Sequence, residues 1–302
     1  MKKSSRKWLI TAITFLLIGS IIFATVMTIL KWDFLKLSTN KFETNVYEIT
    51  EQVNSITIET DTADISFMLA QDGKCKVDCF EEEKSKHLVN VQNNTLFISV
   101  DNQKSWFDNI SVNFISPKVT IYLPQAEYDE LSIKASTSDI EISKDVSFKS
   151  IDVSVSTGDV KCYTSTNELI KIKTTTGDIC IKDVTSKQIE LNVSTGDVEV
   201  IDVTCENFSS TGDTGDITLK NLIATQKFSI KRNTGDVSLV YCDASEIYIK
   251  TSTGDVKGTV LSGKNFIANS STGDIRVPNT TNSGKCEITT STGDIKIQLK
   301  RP

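Results

Sequence analysis

Residues 193–200 read "VSTGDVEV", and the stretch returns with small changes along the second half of the chain: "VSTGDVKC" from Val155, "TTTGDICI" from Thr174, "TSTGDVKG" from Thr251, "NSSTGDIRV" from Asn269 and "TSTGDIKI" from Thr290. With the glycine as origin, the marks fall at Gly158, Gly177, Gly196, Gly215, Gly235, Gly254, Gly273 and Gly293, and Ser138 holds the same place in a degenerate ninth copy. Successive marks are 19 or 20 residues apart, a period that signals a repeat architecture.

The columns of the repeat show what it builds. Two residues after each mark stands an unbroken β-branched column, from Ile140 and Val160 to Ile275 and Ile295, and two further on come Ile142, Cys162, Ile181 and their equivalents. Seven residues before the mark lies a second apolar column that includes Leu131, Ile151, Ile189 and Phe208, and the residues between the columns are mostly Lys, Glu, Asp, Ser and Thr. Period-two alternation on both sides of the mark makes each repeat two short strands with one buried face. The Gly-Asp pair is the corner between them, since glycine takes positive φ freely and Asp closes an Asx-turn. Parity places the preceding threonine inside, so Thr157, Gly158, Thr176, Gly177, Thr195, Gly196, Thr253 and Gly254 are read as structural corner residues.

Two arrangements fit this pattern. A two-residue hairpin at each corner gives an antiparallel meander. A solenoid stacks each coil ~4.8 Å above the last, Thr on Thr and Val on Val. Identical residues have a reason to recur only where they are direct neighbours, so the nine Thr and nine Asp of the corners favour the solenoid. Nine coils at ~4.8 Å make a rod of about 43 Å. Residues 55–67, "SITIETDTADISF", match the same columns with Ala63 in place of glycine. The final strand stops near Leu299, and only Lys300, Arg301 and Pro302 blunt that edge, so self-association or a partner is expected at the C-terminal end.

The N-terminus is of another kind. From Trp8 to Leu30 no residue is charged, and Lys2, Lys3, Arg6 and Lys7 precede the run. At ~1.5 Å per residue it spans a bilayer core of ~30 Å, with the basic cluster on the cytoplasmic side and all that follows outside the cell membrane. A cleaved signal peptide is the rival reading; its apolar stretch is ~7–15 residues and ends at a small-x-small site, which residues 20–24 match poorly. The segment carries no cysteine for a lipid anchor. The chain therefore divides into a basic tail (1–7), a membrane-spanning signal anchor (8–30), a linker (31–42), irregular N-terminal coils that cap the rod (43–130) and the regular solenoid (131–302).

Of 33 Lys and Arg, 29 lie beyond the basic tail against 39 Asp and Glu, a net of −10 for that part. Nucleic acid, acidic lipid headgroups and anionic wall polymers are poor partners for such a surface. The seven cysteines are odd in number and irregularly spaced, which speaks for small apolar fillers over a disulfide framework; with no CxxC and His87 the only histidine, no familiar zinc site is formed.

An N-terminal span, an "xVTIYLP" strand at residues 118–124 and tandem "ST-G-D-[IV]" coils together resemble a bacterial "putative adhesin" β-strand-repeat family of unknown function, which includes LiaG-like membrane-anchored envelope proteins. The resemblance covers roughly residues 43–300. It implies a right-handed parallel β-solenoid on the outer face of the membrane, associated with adhesion or envelope stress, and carries over no catalytic residue and no cofactor.

The sharpest site candidate is the Asp column. Asp159, Asp178, Asp197, Asp216, Asp236, Asp255 and Asp274, with Asp139 and Asp294 beyond them, stack carboxylates that could share Ca²⁺, but the nine-residue glycine-rich unit of calcium β-rolls is missing. The structural reading has each Asp satisfy backbone, with Lys161, Lys257, Arg276 and Lys296 diluting the charge. Arg232 falls on an inward column, where either the coil bulges locally or the guanidinium is a specific site; the bulge is the expected reading. A polysaccharide-acting β-helix enzyme needs long loops around a cleft, and GxSxG and HExxH motifs are missing, so a non-catalytic binding or structural module is expected, with a regulatory partner of an envelope-stress system as the alternative. Its partner would be another envelope protein or a surface ligand.

Overall fold

A computed structural model describes residues 3–33, 41–102, 115–280 and 284–300. Most of the 31–42 linker (34–40), part of the cap, and the terminal Arg301 and Pro302 lie outside the described residues. The N-terminal helix α1 (Lys3–Ile29) carries an apolar stretch, Lys7–Ile29, of 23 residues with a mean hydropathy of 2.4, in which Met27 alone is buried. All else is β-structure: β1 (Phe42–Ile49), β2 (Ser55–Thr60), β3 (Asp64–Leu69), β4 (Cys75–Glu82), β5 (Ser85–Gln92), β6 (Thr95–Asn102) and β7 (Lys118–Leu123) lead into the repeats. These run as β8 (Glu127–Thr137), β9 (Ile140–Ile142), β10 (Ser147–Thr157), β11 (Val160–Cys162), β12 (Thr166–Thr176), β13 (Ile179–Thr195), β14 (Val198–Thr214), β15 (Ile217–Thr234), β16 (Val237–Lys250), β17 (Val256–Val260), β18 (Asn265–Thr272), β19 (Ile275–Arg276), β20 (Lys285–Thr292) and β21 (Ile295–Leu299).

The repeats stack as parallel, in-register coils. Val160 pairs with Ile179, Ile179 with Val198, and Thr157, Thr176, Thr195 and Thr214 follow one another up the rod. The meander is thereby discarded: the corner joins two sides of one coil, and each coil buries its β-branched columns against the next. Ile151, Val160, Ile170, Ile179, Ile189, Val198, Phe208 and Ile217 are all buried, and Phe208 meets Phe228 edge to face with ring centroids 5.8 Å apart.

Four successive coils have a second corner that the repeat columns do not announce. Six residues past the glycine, Asp183, Asp202, Asn221 and Tyr241 adopt φ of 51–58°. Asp and Asn enter this left-handed region more readily than other side chains. The register shift between Ala224 and Lys227 marks where a 20-residue coil holds its extra residue, clear of the Gly-Asp corner.

Stack order departs from chain order at both ends. At the N-terminal end β2 lies between β6 and β8, and β3 between β7 and β9, so residues 55–69 form a regular second layer beside the coil that follows it 75 residues later. The cap beyond is not a set of wide coils: β5 covers β6, β4 covers β7 and β1 covers β4, all antiparallel. At the other end β20 sits between β16 and β18, and β21 between β17 and β19. The C-terminal strand is therefore interior. The outermost layer is β18–β19, whose Ile267 and Ile275 are exposed.

Candidate functional site

The Gly-Asp corners form two hydrogen-bond ladders up the rod. Each corner glycine short of the outermost Gly273 donates its N–H to the carbonyl of the neighbouring coil's threonine, as from Gly158 to Thr176 (2.9 Å) and Gly196 to Thr214 (2.9 Å). The glycines hold φ of 129–149°, and a Cβ on Gly196 would lie 2.1 Å from the Gly177 carbonyl oxygen, so both conformation and space require glycine here.

The aspartates form the second ladder. The Asp159 N–H donates to Asp139 Oδ1 (2.9 Å), Asp178 to Asp159 (2.8 Å), Asp197 to Asp178 (2.7 Å), Asp216 to Asp197 (2.7 Å), Asp236 to Asp216 (2.8 Å) and Asp255 to Asp236 (2.8 Å). The ladder then skips in sequence but not in space: the Asp294 N–H donates to Asp255 Oδ1 (2.7 Å) and the Asp274 N–H to Asp294 Oδ1 (2.8 Å). The expected Asx-turn within one coil is replaced by a bond between coils. One oxygen of each carboxylate short of the outermost Asp274 is committed to the backbone, which leaves the other to meet a cation.

Outward cations meet that second oxygen at one end of the ladder. Lys257 Nζ lies 2.5 Å from Asp255 Oδ2, Lys296 Nζ 2.5 Å from Asp294 Oδ2, and Arg276 3.5 Å from Asp274. These contacts hold the Asp255 and Asp294 carboxyls below the usual range, the lysine hydrogen bond being the largest cause in each. The middle coils carry Cys180, Glu199 and Thr218 at the same outward place, so Asp178, Asp197, Glu199 and Asp216 line an acidic groove, with Asp159 and Lys161 at its edge.

The middle coils have a cation beneath them instead. Arg232 is only 1% exposed, and its Nη1 donates to the Val193 carbonyl, two coils away, at 3.2 Å. No bulge turns it out, because Gly212, its register partner, has no side chain and Nη1 lies 1.7 Å from where a Cβ would be. Burial lowers the guanidinium's pKa, and Asp197, Asp213 and Asp216 oppose that shift.

The threonines before the glycines also depart from expectation. Thr157, Thr176, Thr195 and Thr253 are exposed. The chain leaves the pleat one residue early, so both residues ahead of the glycine face out, and the corner is closed from inside two residues further back. There Thr174 donates to the Gly158 carbonyl (3.3 Å) and Thr290 to that of Gly254 (3.1 Å).

A second cluster lies in the cap. Cys79 and Glu81 share the inward face of β4, and His87 faces them from β5; all three are buried. Glu81 Oε2 accepts the His87 backbone N–H at 2.6 Å and lies 2.6 Å from Nδ1, while Oε1 accepts from Asn45 Nδ2 at 2.7 Å. Thr60 Oγ1 is 3.1 Å from His87 Nε2. Burial, then the charges of Glu81 and Asp78, push the Cys79 thiol up to about 12. Sequence spacing concealed the cluster because its ligand types are mixed; period-two alternation of Cys79 and Glu81 in one strand was the available signal. All seven cysteines are free.

The Toastrack DUF4097 family profile matches residues 53–221 and, in a second copy, 188–301. The chain belongs to this family. A crystal structure from Bacteroides fragilis NCTC 9343, described as a "putative adhesin", superposes with a TM-score of 0.50 at 19% identity, covering 86% of this chain and 99% of that one. A "putative lipid binding protein" from Parabacteroides distasonis ATCC 8503 gives 0.51 at 19% identity, covering 86% and 98%. At these identities the likeness is one of fold. No curated protein matches the sequence.

Proposed function

We propose that this Toastrack chain is a membrane-anchored, extracytoplasmic binding module without catalytic activity, held by α1 and presenting the rod to another envelope protein. The observation that carries this reading is the acidic groove over Asp178, Asp197, Glu199 and Asp216, whose outward carboxylate oxygens have no cation at the positions that Lys257, Arg276 and Lys296 fill further along. A basic protein surface complements such a line, and salt weakens the contact. The "putative adhesin" and "putative lipid binding protein" names of the neighbours agree with binding as the class of activity; the excess of acid over base argues against anionic lipid as the ligand.

The test keeps the fold while removing the charge. Asn presents an oxygen to the same N–H, so Asp178→Asn, Asp197→Asn and Asp216→Asn with Glu199→Gln leave the ladder intact. In cells carrying the full chain, crosslinked capture is expected to recover an envelope protein with a basic surface, and the quadruple variant to lose it. Undiminished capture by the variant contradicts the assignment. Protease added to intact protoplasts is expected to digest the chain beyond residue 41; full protection contradicts the topology.

A further inference from the structure

The geometry points to a zinc-class metal site in the cap, made by Cys79 Sγ, Glu81 Oε2 and His87 Nδ1. These ligand atoms lie within 4.8 Å of one another, and among the described residues no other group of three such side chains comes together. They come from one hairpin, β4–β5, and are preset by alternation along β4 and by the antiparallel strand beside it.

The donor set selects the metal. A thiolate, a carboxylate and a neutral imidazole suit borderline divalent ions such as Zn²⁺, whereas Ca²⁺ and Mg²⁺ require oxygen ligands. Charge selects it too: a dication with one thiolate and one carboxylate sums to zero, the only sum a fully buried site carries cheaply. Zn–N and Zn–O bonds of about 2.0 Å at a tetrahedral angle hold N and O about 3.3 Å apart, so the present 2.6 Å contact of Nδ1 with Oε2 opens by about 0.7 Å. Three protein ligands leave a fourth position for water.

The outer partners are already in place. His87 Nε2 meets Thr60 Oγ1, and Glu81 Oε1 meets Asn45 Nδ2, which is how metal-bound imidazoles and carboxylates are ordinarily held. In the proton balance of binding, the Cys79 thiol gives its proton to solvent as the S–metal bond forms. The imidazole proton moves from Nδ1 to Nε2, where Thr60 accepts it, with no net change. The bound metal ties β4 and β5 to β1 through Asn45 and to the first regular coil through Thr60, closing the end of the rod.

Cobalt(II) titration of the full chain in detergent micelles, purified with a chelator, tests the site. One equivalent is expected to give a near-ultraviolet thiolate-to-cobalt band with strong four-coordinate visible bands, displaced by Zn²⁺, which also raises the unfolding midpoint. Cys79→Ser is expected to abolish the near-ultraviolet band. Thr60→Val and Asn45→Ala keep all three ligands and are expected to weaken affinity roughly 10–100-fold. The absence of a thiolate band in the wild type overturns the proposal, as does a band that survives Cys79→Ser. Should that variant fail to fold, unchanged affinity in both Thr60→Val and Asn45→Ala overturns it instead.

Discussion

At the scale of the residue, the glycine of each Gly-Asp corner answers two demands at once, one of conformation and one of space. Gly196 combines φ of 144° with a neighbouring carbonyl oxygen 2.1 Å from any Cβ. Gly196→Ala is therefore expected to cost about 2–4 kcal/mol in denaturant unfolding. Asp197 contributes through its acceptor oxygen more than through its charge, since the carboxylate takes the Asp216 N–H. Asp197→Asn is expected to stay within about 0.5 kcal/mol of wild type, while Asp197→Ala, which orphans that N–H, costs about 1–2 kcal/mol. Equal losses for both substitutions contradict the ladder. The cysteines follow burial: it pushes Cys162, Cys205 and Cys286 up to about 12 and Cys75 and Cys242 to about 11, and only Cys180 is part-exposed. Iodoacetamide at pH 8 is expected to add one label to the folded chain, at Cys180, and mass spectrometry showing several contradicts this. The corner glycines and the Asp column were legible in the sequence because a stacked repeat writes each coil's demand at the same place. The direction of Thr195 was not, because a pleat broken one residue early leaves no mark in composition. Arg232 was legible as an anomaly, but its accommodation depends on Gly212, a neighbour 20 residues away.

At the scale of the element, strands and corners could be read from alternation, whereas layer order could not. Each coil offers its neighbours the same columns, so a coil fits between any two others, and loops decide which slot it takes. Residues 55–69 and 285–299 both occupy slots that chain order would deny them. Lys257 pairs with Lys296, and Arg276 lies one layer beyond Lys296. Cysteines at 257 and 296 are then about 4.8 Å apart at Cα, inside the range a disulfide spans. Mild oxidation is expected to crosslink Lys257→Cys with Lys296→Cys and to leave Lys257→Cys with Arg276→Cys open; the reverse outcome restores simple chain order. The same rearrangement moves the expected self-association edge from the C-terminal strand to β18–β19. The antiparallel cap was read only as irregular strands: β5–β6 is a local hairpin across Asn93 and Asn94, but β1 and β4 are placed by pairings 26 or more residues apart, such as Asn45 with Cys79.

At the scale of the whole molecule, a rod of like coils has little interior to specialise, so distinctive chemistry collects where the repeat fails. The acidic groove lies over the coils that carry Cys180, Glu199 and Thr218 where others place an outward Lys or Arg, with Lys161 at its edge, and Cys79, Glu81 and His87 sit in the cap, outside the period altogether. The apolar helix α1, exposed along nearly all its length, is the one candidate membrane anchor among the described residues. The central claim is one strand spacing of rise per repeat. Lys161 and Lys257 are exposed at equivalent places five coils apart. Spin labels at these two positions, measured by pulsed dipolar electron paramagnetic resonance, are expected at about 24 Å, five strand spacings of about 4.8 Å. A distance near twice that value, as two strands per repeat would give, contradicts the stacked solenoid.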